Sequence, residues 1–370
     1  MYIIDSTELH NLLEGLISRG YLLVGPTVRG SAIVLDSIRS VDDLPRGFGD
    51  EQLPARYSLR RRDDDMWFGY AVGPVSWKKF LYPPRSTMFR ATRAGKGFTI
   101  RPGGEEKPGK RAFIGVRPCE LSAILIQDKI FTGGPYVDAS YKTARDNAFI
   151  VTVNCTVTGA NCFCASMGTG PGAAKGFDIL LTEVLEPGKH YFLASAGSPR
   201  GEEVLDAVPR REASEAETRT GSDAVAGAAG SQTKKLDVTG LPEILKENFE
   251  HPRWDDVAKR CLACTNCTLV CPTCFCSTVE DATDLTGIHA ERTKRWDSCF
   301  TMDFTKVAGG NIRPSIRARY RQWLTHKLSN WEDQFGMLGC VGCGRCITWC
   351  PSGIDITAEA EAIRGNGVHA

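Results

Sequence analysis

The first 118 residues contain no cysteine, although the 370-residue chain has fifteen. Long hydrophobic runs are also missing: none approaches the roughly 18 apolar residues of a membrane-crossing helix. The opening MYIIDSTELHNLLEGL lacks a basic stretch followed by an apolar one, so no secretory leader is expected. Charge bias is absent too. Lys and Arg number 45 against 44 Asp and Glu, giving a net charge of +1, which offers no attraction to nucleic acid or anionic membranes. There is no phosphate-binding Walker loop, no His-Glu-x-x-His and no nucleophile elbow, and the six histidines are scattered. These absences point to a cytoplasmic protein with no membrane span and no nucleic-acid partner.

The cysteines that are present come in clusters: four between Cys119 and Cys164, seven between Cys261 and Cys299, four between Cys340 and Cys350. An odd number of thiols in a long cytoplasmic chain does not suit a disulfide framework. Clustered thiols in reducing cytosol indicate a soft metal.

The length suggests two domains. Residues 1–197 alternate short apolar runs (YLLVGP, AFIGVR, AFIVTVNC) with helical stretches such as ELHNLLEGLISRG, where Leu9, Leu12, Leu13 and Leu16 share a face, and PCELSAILIQDKIF. That order predicts an α/β domain. Residues 198–240 are rich in Ala, Gly, Ser and charge and read as a flexible linker. Residues 241–370 resume a helical period between cysteine loops, predicting an α-helical dicluster ferredoxin domain.

Cys261-x2-Cys264-x2-Cys267-x3-Cys271-Pro and Cys340-x2-Cys343-x2-Cys346-x3-Cys350-Pro both have bacterial ferredoxin spacing. Three closely spaced thiolates wrap one [4Fe–4S] cluster and the fourth crosses to its neighbour. The assignment is therefore Cys261, Cys264, Cys267 and Cys350 for one cluster, and Cys340, Cys343, Cys346 and Cys271 for the other. Structural zinc has no use for the third cysteine of each motif.

Cys119 and Cys155 fall at the ends of predicted strands, and Cys162 and Cys164 follow in a glycine-rich loop. Four thiols converging on one sheet edge could hold a third cluster, a zinc ion, or nothing, as buried free cysteines. Gly168-Thr-Gly170-Pro-Gly172-Ala173 fits a dinucleotide fingerprint only loosely, because its proline breaks the entry into a helix. As a loop packed on a metal site it needs no nucleotide.

The phrases GVRPCELSAI, NCFCASMGTGP, CPTCFC, RWDSC and CVGCGRCITWCP together resemble the beta (iron–sulfur) subunit of cytoplasmic NAD(P)-linked nickel–iron hydrogenases, the sulfhydrogenases. They are equally similar to the corresponding iron–sulfur subunit of anaerobic sulfite reductase. The resemblance covers nearly the whole chain outside the linker. It implies a non-catalytic electron-transfer subunit, with a flavin/NAD(P)-binding subunit on one side and a terminal one on the other. That terminal partner would be a nickel–iron hydrogenase small subunit or a siroheme sulfite reductase. The resemblance also favours the third cluster. Cys274, Cys276 and Cys299 are surplus: they are read as weak S–H donors around a cluster, or one of them replaces Cys271 as the crossing ligand. A catalytic iron–sulfur disulfide reductase built on these three, and a structural zinc protein, are the alternatives from other classes. The run Arg313, Arg317, Arg319 and Arg321 reads as a solvated helix face or as a support for cluster charge.

Overall fold

Leu9, Leu12, Leu13 and Leu16, spaced to share one helical face, are all buried along the helix Leu9–Ser18. That helix covers one side of an eight-stranded mixed sheet. In spatial order its strands are Arg211–Glu212, Tyr2–Asp5, Lys189–Ala196, Ile179–Glu186, Ala148–Val153, Arg111–Val116, Leu22–Arg29 and Ala32–Ser37. The computed structural model describes residues 1–103 and 109–365. Four neighbouring strands, from Ile179–Glu186 to Leu22–Arg29, run parallel. Ala148–Val153 is buried along its whole length, as a strand covered on both faces must be. Leu12, Phe149, Phe192 and Leu205 pack in one core. Trp77, Phe113, Ile124 and Tyr141 pack in another. The parallel strands Arg111–Val116 and Ala148–Val153 therefore end side by side, and Cys119 and Cys155 follow directly from them.

Residues 198–240, expected as a flexible linker, are folded. They form the helix Pro199–Leu205, the strand Arg211–Glu212 that pairs with Tyr2–Asp5, and the helix Glu215–Gly230. Ser214 and Glu217 cap the last of these reciprocally, a signature that stands in the sequence. The small residues that read as linker composition let the helix lie close on the sheet. A Cβ added at Gly221 would sit 2.1 Å from Leu193 Cδ1.

The C-terminal part has helices at Leu241–Glu247, Arg253–Arg260, Ile316–Thr325 and Ile356–Gly365 around Trp254, Phe300, Tyr320, Trp323 and Leu328. It is not wholly helical, which corrects the expectation. Ser277–Thr283 and His289–Trp296 form a hairpin whose second strand pairs with Arg85–Ala94, itself paired with Gly97–Pro102. One four-stranded sheet thus takes a hairpin from each half of the chain. The alternation in these strands is polar on both sides, so no buried face announced them. Among the described residues no helix is long and apolar enough to cross a membrane.

Candidate metal centres

Each ferredoxin-type loop is a tight coil followed by a one-turn helix, Asn266–Leu269 in the first and Arg345–Thr348 in the second. The coils repeat each other residue for residue. Positions two and four after the first cysteine take the left-handed backbone in both: Ala263 (φ 50°) and Thr265 (φ 70°), then Gly342 (φ 60°) and Gly344 (φ 74°). This winding turns an amide onto sulfur. Ala263 N–H donates to Cys261 Sγ at 3.4 Å and Gly342 N–H to Cys340 Sγ at 3.5 Å. Ile354 N–H does the same for Cys350 at 3.4 Å.

The two loops differ where their surroundings differ. The first is near the surface, with Leu262 66% exposed and Cys264 exposed, so Ala and Thr are accommodated. The second is covered by the loop that carries Cys162 and Cys164. A Cβ at Gly342 would stand 2.6 Å from Cys164 N, and one at Gly344 would stand 2.4 Å from Asn161 O. Gly344→Ala is therefore expected to lower stability by at least about 2 kcal/mol, from left-handed strain plus the clash. Thr265→Gly, at the equivalent position, should stay within about 1 kcal/mol. Thermal unfolding of the two variants compares them directly, and equal midpoints would contradict this packing.

The thiols group as crossed sets. One small pocket is lined by Cys261, Cys264, Cys267 and Cys350 with Phe300, Tyr320 and Trp323. A second is lined by Cys271, Cys340, Cys343 and Cys346 with Phe163, Trp323 and Lys327. Cys346 and Trp323 line both. Burial raises Cys261, Cys267, Cys340, Cys343 and Cys346, and neighbouring thiols add to it. Cys267 is raised by burial and then by Cys261, Cys350 and Cys264. Burial pushes Cys340 up to about 12. Such crowded thiols cannot ionise together without a cation among them, which is how a ligand set behaves.

Cys119, Cys155, Cys162 and Cys164 come together as well. Cys119 stands in the first turn of the helix Pro118–Thr132. Its thiol is raised by burial, then by Cys164, Cys343 and Cys155. Cys164 is pushed up to about 11 by burial, against a hydrogen bond from Gln232 Nε2 at 3.1 Å. The Gly168–Gly172 loop packs on this group: a Cβ at Gly170 would be 3.0 Å from Cys164 Sγ. Among the described residues no group of three or more Cys, His, Asp or Glu side chains is gathered tightly enough to hold a single metal ion.

Sequence reading missed the contacts that join this group to the second loop. Phe163 N–H donates to Gly342 O at 2.8 Å, and Thr169 Oγ1 to Val341 O at 2.7 Å. Buried Arg345 pairs with buried Glu120, the residue after Cys119, and donates to Gly73 O at 2.7 Å. Arg117 is also buried. Its Nη2 donates to Phe68 O and Tyr70 O, and its side chain also bonds the Cys155 thiol. A buried guanidinium with no carboxylate partner, beside these thiols, fits an anionic group held there.

The surplus thiols lie beside the first motif. The thiol of Cys274 meets Cys271 and lowers it, and Cys276 meets Cys299. Asp297 N–H donates to Cys276 O at 2.9 Å, closing the hairpin that brings the second pair together. The arginine run divides: Arg319 is buried and donates to Phe300 O at 2.8 Å, while Arg317 and Arg321 pair with Glu250 on the surface.

Two adjoining thiol-lined pockets on a repeated coil, each taking cysteines from both motifs, define an iron–sulfur protein of the dicluster class, and the profile described as 4Fe-4S dicluster domain matches residues 260–354. The chain is 34% identical over 309 residues to sulfhydrogenase 2 subunit beta of Pyrococcus furiosus, covering 81% of this chain and 86% of that one. It belongs to the family of sulfhydrogenase beta subunits. No solved structure matches it.

Proposed function

We propose that the chain is an electron-transfer subunit carrying three [4Fe–4S] clusters. Their ligands would be Cys261, Cys264, Cys267 and Cys350; Cys340, Cys343, Cys346 and Cys271; and Cys119, Cys155, Cys162 and Cys164. Clusters bound at such thiols supply one-electron redox chemistry. The residues of the chain do the rest. Thiolates hold the iron, the amides of Ala263, Gly342 and Ile354 direct their dipoles at sulfur, and Phe300, Tyr320 and Trp323 keep water out. One observation carries the reading: the sets are contiguous. Cys346 and Trp323 are common to the first two, and Cys343 of the second stands against Cys119 and Cys164 of the third.

The relative's designation as a beta subunit of a sulfhydrogenase supports a place between two partners, a flavin/NAD(P)-binding subunit on one side and a nickel–iron hydrogenase subunit on the other. Anaerobically purified protein is expected to contain about 12 iron atoms and as many acid-labile sulfides per chain. About 8 would remove the N-terminal thiols from the path, and stoichiometric zinc would overturn their role. The native complex is expected to reduce a dye with hydrogen as donor. Sulfite-dependent NADH oxidation in its place would exchange the terminal partner for a sulfite reductase.

A further inference from the structure

Two lysines are buried beside the second thiol set with no carboxylate to balance them. Lys78 and Lys327 are each 4% exposed. Among the described residues neither forms an ion pair. Lys327 Nζ donates to Thr273 Oγ1 at 3.0 Å and to Gly339 O at 3.4 Å. The same hydroxyl lies 3.2 Å from Cys271 Sγ, so one oxygen separates the ammonium from the crossing ligand. Lys78 Nζ reaches Cys274 O at 3.2 Å and Leu269 O at 3.4 Å, and lies 3.9 Å over the Trp296 ring. Among the other covered cations Arg345 has Glu120, Lys294 has Asp138 and Lys234 has Asp355, whereas buried Arg117 and Arg319 donate to backbone carbonyls.

The backbone is also unusual at this point. Between Ile316–Thr325 and Trp331–Phe335 the helix widens into a π turn over His326–Asn330. Tyr320, Trp323, Leu324, Leu328 and Trp331 are buried, and by helical spacing position 327 belongs with them. A lysine in a core position, on a π turn, with only sulfur and oxygen acceptors around it, is a costly arrangement unless negative charge is held nearby. The first thiol set has one such cation against two at the second: buried Arg319, which donates to Phe300 O and Ser315 O.

We propose that Lys327 and Lys78 are the counter-charges of the second thiol set and raise the reduction potential of the cluster held by Cys271, Cys340, Cys343 and Cys346, relative to one on the first set. Reduction adds one negative charge, which a fixed ammonium in a low-dielectric site stabilises. The second set, in contact with both others, then becomes the point where electrons rest. This inference relies on the ligand assignment proposed above.

The test is a redox titration followed by electron paramagnetic resonance on Lys327→Met, Lys78→Met and Lys327→Arg, with iron measured on each. Both methionine variants are expected to keep wild-type iron while one centre moves to more negative potential. The expected change is at least about tenfold in its ratio of reduced to oxidised form, or about 59 mV for a one-electron couple. Lys327→Arg should restore the wild-type midpoint. Unchanged midpoints, or equal shifts of all centres, overturn the proposal. Should Lys327→Met lose iron, Lys78→Met and Lys327→Arg decide it by the same criteria. Wild-type protein with fewer than about 8 iron atoms would instead overturn the ligand assignment, and the iron assay reads that failure separately.

Discussion

Replacing Arg345 by methionine is expected to cost about 3–5 kcal/mol of stability, the usual consequence of stranding one member of a buried ion pair. The partner left behind, Glu120, has a side chain 4% exposed. It would keep only Trp77 Nε1 at 3.1 Å and the Arg117 amide at 3.4 Å as donors. The pair joins the helix carrying Cys119 to the helix that follows Cys343, so its loss should loosen the whole contact between sheet and ferredoxin loops. Glu120→Gln alone should cost a comparable amount by stranding the guanidinium. The double variant Glu120→Gln, Arg345→Met should recover a good part, because neither charge is then left alone. Denaturant midpoints for the three proteins close the cycle. Single-variant losses below about 1 kcal/mol would mean that the two halves are held elsewhere.

Cys271→Ala, although it alters the first motif, is expected to empty the second set. The cleanest reading comes from pairs. Cys271→Ala combined with Cys343→Ala should cost about 4 iron atoms, no more than either change alone, since both thiols would serve one cluster. Cys271→Ala combined with Cys264→Ala should cost about 8, one cluster from each set. If each motif instead kept its own four ligands, the two results would be exchanged. A Cys271→Ala protein with full iron would mean that Cys274, whose thiol touches Cys271, takes over as ligand.

Much of this was legible in local spacing. The leucines of Leu9–Ser18 and the apolar runs before Cys119 and Cys155 carry their periods openly, and the ferredoxin spacing carries its ligand pattern. Cys119 and Cys155 could be placed at strand ends and Cys162 and Cys164 in a glycine-rich loop, which allowed the four to meet without requiring it. What could not be read was whatever depends on distant partners. Gly342 and Gly344 are explained only by Phe163 and Asn161 lying on them. Glu120 and Arg345 are 225 positions apart, and each alone looks like an ordinary surface charge. Lys327 sits where the helical period asks for an apolar residue, and only burial shows that it obeys. The segment 198–240 was misread for the converse reason, since small residues suit both a loose connector and a helix pressed on a sheet.

The sheet shared between the two hairpins also sets an order of synthesis. Arg90 meets Glu291, which lies 201 positions further along the chain. Arg85–Ala94 and Gly97–Pro102 are synthesised long before His289–Trp296, so one edge of Arg85–Ala94 has no partner until that strand is made. An open strand edge invites wrong partners. This hairpin carries Arg85, Arg90, Arg93, Lys96 and Arg101 and no acidic residue, so nascent copies on a polysome repel one another until the edge is closed. The second ferredoxin loop is made later still. Assembly of the metal centres is thereby deferred until nearly the whole polypeptide is present to enclose them.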